Sequence, residues 1–202
     1  VSAQPVDVSP LAVVEGLREK IRHLEGGPAR LSVPVHPVLK GLVQLRAGAS
    51  YAVDSASLAL AMAAGASAAG EWVGFAGWPD FGAEAADQWG IDLARTVLVP
   101  EPGEHWLEVT AALVDVLRVV VLAPTGTVDA KSASIIEARL RSRSAVLVSL
   151  GPWPRCEAAL STEATLWTGT DRGHGRLRER QVRVAVRQGG RPPRRADLLF
   201  PV

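Results

Sequence analysis

Residues 49–70, ASYAVDSASLALAMAAGASAAG, run directly into residues 71–77, EWVGFAG, and this junction leaves the chain few folds to choose from. A β-favouring run at 49–53 leads into a short polar turn at 54–57. The Ala-, Leu- and Met-rich run at 58–69 has no polar stripe, so it reads as a helix buried on every side. It is too short to cross a membrane, which takes roughly 20 apolar residues. A second strand, apolar on both faces, follows at 72–76. All three elements are satisfied at once by a parallel sheet with helices packed on its faces.

The alternation continues. A loop through Trp78 and Asp80 precedes a short helix at 83–89. Strands are predicted at 96–99, 119–123 and 145–150, and helices at 106–116 and 129–143. Leu107, Leu113, Val114 and Leu117 are expected to face inward from the first of these helices, and Ile135, Ile136 and Leu140 from the second. Arg139, Arg141 and Arg143 place positive charge at the second helix's carboxyl end, where its dipole favours it. After Pro154 the pattern switches to polar–apolar alternation at 164–170, 181–187 and 196–200, the signature of half-exposed antiparallel strands. Turns are expected at 172–175 and 189–193. Upstream, Ser9-Pro10 is a helix start, and Leu11, Val14, Leu17, Ile21 and Leu24 make one apolar stripe. The organisation predicted is a disordered leader over 1–10, an N-terminal helix over 11–27, an α/β core over 28–154 and a basic extension over 155–202.

At 202 residues the chain fits one domain with a small appendage. Its single cysteine, Cys156, precludes an internal disulfide and a cysteine-based zinc site, and fits a reducing compartment. With no secretory signal pattern and no membrane-length apolar run, the expected location is the cytoplasm. The net charge of +1 hides an asymmetry, because residues 172–195 hold nine arginines against one acid, Glu179. That segment carries +8 and the remainder −7, which points to an interaction surface for nucleic acid or an acidic partner.

Taken in order, several motifs resemble the RecA/ImuA family: LREKIRHLEG, the strand–turn–helix ending AAGASAAGEWVGFAG, the run AADQWGIDLARTVLVPEPGEHWLEVTAALVDVLRVVVLAP, and the tail DRGHGRLRERQVRVAV. The resemblance spans about residues 17–201, and it rests on order and spacing rather than on any one motif. It implies a RecA-like core with a mostly parallel sheet, an N-terminal helix and a small antiparallel C-terminal extension. ImuA-type proteins are accessory factors in damage-induced mutagenesis. The resemblance therefore implies ImuB, a Y-family polymerase relative, as partner, and through it an error-prone DnaE-type polymerase, with DNA as a further candidate. A second reading is a SulA-like inhibitor of cell division that binds a tubulin-like filament protein.

The chemistry such a core usually carries is missing. A phosphate loop needs G-x-x-x-x-G-K-[ST], whose glycines admit phosphate to the backbone and whose lysine reaches it. The corresponding turn is Asp54, Ser55, Ala56 and Ser57, with no glycine and no lysine. The acid that would hold Mg²⁺ after strand 119–122 is Ala123, and Asp80 is the sole candidate for a general base. Ser55 and Ser57 lack the glycines of a nucleophile elbow and read as a helix cap. His23, His36, His105 and His174 have no ligand spacing. The chain is thus expected to be no enzyme and to take no cofactor or metal. Its predicted contact residues are Arg172, Arg176, Arg178, Arg180, Arg183 and Arg187, with alternate arginines projecting from one face of a strand. Trp78 and Trp153 join them as interface anchors, while Trp72 is expected in the core. No aromatic residue lies among these arginines in the sequence, which argues against base stacking, and the resemblance tips the balance from DNA towards a protein partner.

Overall fold

The structure is a computed structural model that describes residues 31–171 and 174–201. The predicted leader, the helix over 11–27 and Arg172 lie outside the described residues. Two short strands, β1 (Ser32–Val33) and β2 (Leu45–Arg46), form a small antiparallel pair. The remaining strands are β3 (Ser50–Val53), β4 (Val73–Ala76), β5 (Thr96–Val99), β6 (Val119–Leu122), β7 (Val146–Leu150), β8 (Ala158–Asp171), β9 (His174–Arg187) and β10 (Arg194–Phe200). They make one sheet in the order β10-β9-β8-β3-β7-β6-β4-β5. From β8 to β5 every neighbouring pair is parallel, while β9 pairs antiparallel with both β8 and β10. The basic extension is therefore continuous with the core sheet.

Among the described residues four α-helices connect the strands: α1 (Ala56–Ala68), α2 (Ala83–Gln88), α3 (Trp106–Val116) and α4 (Ala130–Arg143). The central strands bury both faces and divide the core in two. Tyr51, Val53, Phe75, Val121 and Val148 pack with α1 on one side, while Ala52, Val120, Leu122 and Leu147 pack with residues of α3 and α4 on the other. This alternation is the period-two geometry of a pleated strand. Each fully buried Val or Leu contributes about 1.5–3 kcal/mol of transfer free energy. As the apolar sequence requires, α1 is buried from Leu58 through Ser67. Ser55 caps it, its Oγ accepting the Leu58 N–H at 3.4 Å. At α4, Asp129 Oδ1 accepts from the backbone of Lys131 and Ser132 at 2.8 and 2.9 Å.

Two inward-facing expectations need correction. Ile135 is exposed, and the stripe that packs is Ala133, Ile136 and Leu140. The packed stripe of α4 follows three- and four-residue steps through Ala133, Ile136 and Leu140, and Ile135, turned about 100° from Ile136, falls on its solvent side. Trp72 is 49% exposed rather than in the core, because it lies one residue before the ladder of β4 begins.

The connector from Pro34 to His36 crosses α1 at Gly65. His36 N–H donates to Ala61 O at 2.9 Å, and a Cβ on Gly65 would overlap the backbone of Val35 and Pro34. Both sides of that clash are backbone, so relief requires the connector to lift. Gly65→Ala is expected to lower stability by about 1–3 kcal/mol, measured as a fall in the urea midpoint at unchanged slope.

Candidate functional site

The carboxyl ends of β3 and β4 point at the turn where a phosphate loop would stand, and β8 and β9 close over it. β3 pairs with β8 through only three positions, Tyr51–Ala158, Ala52–Ala159 and Val53–Leu160. Just past that seam, the Thr162 N–H donates to Asp54 Oδ2 at 2.8 Å. Thr162 Oγ1 also lies 3.5 Å from Ser55 Oγ. Ser57 Oγ accepts from Arg180 Nη1 at 2.9 Å. Three of the four turn residues are thus tied by their side chains, all of them to strands more than a hundred residues away; the fourth, Ala56, opens the helix. Ala123 is likewise held by backbone, its N–H donating to Ala76 O at 2.9 Å. Its carbonyl stands where a Cβ on Gly77, at φ +71°, would fall.

Arg180 supplies a cation to the turn that the local sequence lacks. Its guanidinium carbon lies 5.1 Å from the Trp167 ring centroid and 5.5 Å from that of Phe200, distances at which an aromatic face attracts a cation. Arg180 makes no ion pair among the described residues, and its Nε is buried without a hydrogen-bond partner there. Desolvation pushes its pKa down. Beside it is a hollow of about 380 Å³ lined by Ser57, Trp78, Asp80, Phe81, Trp89 and Trp167, among others. The sequence gives no hint of this meeting. Trp167 and Arg180 are register partners on adjacent strands, so the aromatic residue missing between the arginines along the chain is provided across the ladder.

Beyond the seam, β8 and β9 overhang the sheet. β10 pairs with β9 only from Arg180 to Val186, so β9 residues before Arg180 and β8 residues after Trp167 have only each other. Leu177 on this two-stranded ribbon is 44% exposed, and Leu166 and Trp167 at its root are 59% and 43% exposed. Arg176 and Arg178 are exposed on the ribbon, and Arg187 is exposed at the far end of β9, opposite Ala159; among the described residues none of the three has an ion-pair partner. Arg183 differs, forming a two-pronged bond to Asp197 at 2.8 and 3.0 Å. Arg195 donates its Nε–H between both oxygens of Glu163, at 3.1 and 2.9 Å. The two tryptophans expected as anchors are packing residues. Trp153 is 5% exposed within the α3–α4 side of the core. Trp78 is half-buried and meets Phe75 and Phe81 edge-on at 6.0 and 5.6 Å. A Pro-flanked turn reads as surface in sequence, but here it folds back onto the core. Among the described residues, no three His, Cys, Asp or Glu come together as a metal site.

Residues 37–155, more than half of the chain, match the family described as the MT3502 N-terminal domain. The chain is also similar to the uncharacterized protein Rv3395c of Mycobacterium tuberculosis. The two are 37% identical over 150 residues, 69% of this chain and 71% of that protein. No helix among the described residues is long and apolar enough to cross a membrane.

Two measurements follow from this geometry. Hydrogen bonds from Arg183 and Arg195 hold the carboxyl groups of Asp197 and Glu163 below their ordinary pKa. A carboxylate with a depressed folded pKa adds stability above its unfolded pKa and loses it as pH falls through the folded value. NMR titration should show both midpoints below those of ordinary Asp and Glu, with Arg195→Ala returning Glu163 upward. Trp153→Ala is expected to cost about 3–5 kcal/mol of stability in denaturant.

Proposed function

The chain belongs to the MT3502 N-terminal domain family, and we propose that it is a non-catalytic adaptor that docks a protein partner on the β8–β9 ribbon. Following the resemblance to ImuA-type proteins, the partner is ImuB, and the setting is translesion synthesis after DNA damage in the cytoplasm. The observation that carries the reading is the turn closed from within. Asp54, Ser55 and Ser57, in the position of a phosphate loop, already spend their side chains on Thr162, Leu58 and Arg180. A nucleotide phosphate arriving there would meet the Asp54 carboxylate and would have to displace these bonds. The frame is that of a nucleotide-binding sheet, but a fold does not fix a function.

The ribbon supports the second half of the reading. The ribbon and its root offer an exposed indole, two exposed leucines and, among the described residues, arginines without an ion-pair partner. Trp and Arg are the residue types that most often anchor protein interfaces, and unpaired arginines steer an acidic surface into contact. Leu166 and Leu177 add apolar area, which suits a protein surface better than a phosphate backbone.

Truncation at Thr170 is a poor test, since it would remove Val182, Val184, Val186 and Phe200 from the core. The test is pull-down of ImuB by the intact chain, by Trp167→Ala and by the double variant Arg176→Ala/Arg178→Ala, with circular dichroism confirming each fold. Capture by the intact chain and a loss of at least tenfold in both folded variants is the expected result. No capture by the intact chain overturns the ImuB reading, and capture of a tubulin-like filament protein in its place would favour division inhibition. Phosphate release from ATP is expected to stay at background with and without single-stranded DNA.

A further inference from the structure

The opposite edge of the sheet carries a separate concentration of charge. At the amino ends of β3 and β8, between the β1–β2 connection and the turn from β9 to β10, lies a cavity of about 650 Å³. Lys40, Arg46, Arg191 and Arg194 line it, and among the described residues no carboxylate does. A shallower hollow of about 440 Å³ shares Arg46, Gln188 and Arg191 with it and adds Arg155 and Glu157. Five cations thus border the combined concavity against one acid.

That acid is already engaged. Glu157 Oε1 accepts from Arg46 Nη1 and from Gln188 Nε2, both at 3.0 Å. Arg194 Nη2 donates to the Leu42 carbonyl. Lys40, Arg155 and Arg191 have no ion-pair partner among the described residues. Elsewhere Arg139, Arg143, Arg183 and Arg195 each meet a carboxylate, while among the described residues Arg176, Arg178 and Arg187 do not. Like charges gathered in a concave wall repel one another and focus a positive field into it. A counter-charge of several units relieves both effects, and guanidinium forks match phosphate oxygens in geometry. One carboxylate would leave most of the cations unanswered. Much of the remaining wall of the larger cavity is apolar, including Val35, Val43, Val186 and Pro192, and its volume lies in the usual range of small-ligand sites.

We propose that this cavity binds a small anion bearing two or more phosphate groups on an apolar body, of about the size of a nucleoside diphosphate. The site lies across the sheet from the closed turn at Asp54–Ser57 and shares no residue with it. It therefore stands or falls independently of the adaptor role.

The test is calorimetric titration of the intact chain with ADP, and separately with inorganic pyrophosphate, at low and high salt. The variants are Lys40→Ala/Arg191→Ala, which removes two unpaired cations, and Arg176→Ala/Arg178→Ala on the distant ribbon, each checked by circular dichroism. The expected result is saturable one-to-one ADP binding that weakens with salt and falls at least tenfold in the cavity variant alone. Pyrophosphate should bind more weakly than ADP, because it leaves the apolar wall uncovered. Absence of saturable binding to either probe at millimolar concentration overturns the proposal, as does an equal loss in the ribbon variant. If a single-stranded dT oligonucleotide displaces ADP at matched phosphate concentration, the groove holds a nucleic-acid backbone, and the small-ligand assignment is wrong.

Discussion

The carboxyl half of the molecule depends on a seam of three residue pairs, where the start of β8 lies parallel against Tyr51, Ala52 and Val53. β3 has four residues and β8 has fourteen, so pairing at the start of β8 obliges the rest of it to run past the sheet. Much else follows from that offset. The overhang becomes a ribbon once β9 folds back along it. Thr162 and Arg180 arrive over the turn between β3 and α1, and the return from β9 to β10 forms one wall of the basic cavity at the amino edge. Val182, Val184, Val186 and Phe200 are drawn into the same core that α1 fills, which makes the seam part of the fold's stability.

Charge is distributed with the same economy. Exposed ion pairs such as Arg183–Asp197 contribute about 0–1 kcal/mol each, so their main effect is to cancel positive charge along the middle of the β8–β10 surface. The cations left unpaired gather at its two ends, on the ribbon and around the amino-edge cavity. A protein that needed a uniformly basic extension would gain nothing from pairing its middle. Two separated patches fit two different negatively charged contacts.

The sheet retains the architecture on which phosphate loops are built, with a buried helix rising from the carboxyl end of a central strand. What differs is how its first turn is satisfied. Free backbone N–H groups at a helix start attract anions, and here side chains of the chain itself occupy their neighbourhood. Arg180 lies near where a bound anion would call for a cation, yet it is stacked on Trp167 and Phe200 and bonded to Ser57, so it acts as a tie between ribbon and helix.

The sequence by itself determined the parallel α/β class, the buried character of α1 and the limits of β5 and α3. Those features are written in the period and continuity of apolar residues over a few turns, and burial must satisfy them wherever the segment is placed. It also settled that no phosphate loop exists, because that motif is local. Tertiary structure decided which tryptophans face solvent, which arginines are neutralised, that Ile135 turns outward, and that a cation reaches the turn after β3. Arg180 and Ser57 are 123 residues apart, and strand register alone brings them together; no local pattern of residues encodes a register between distant strands.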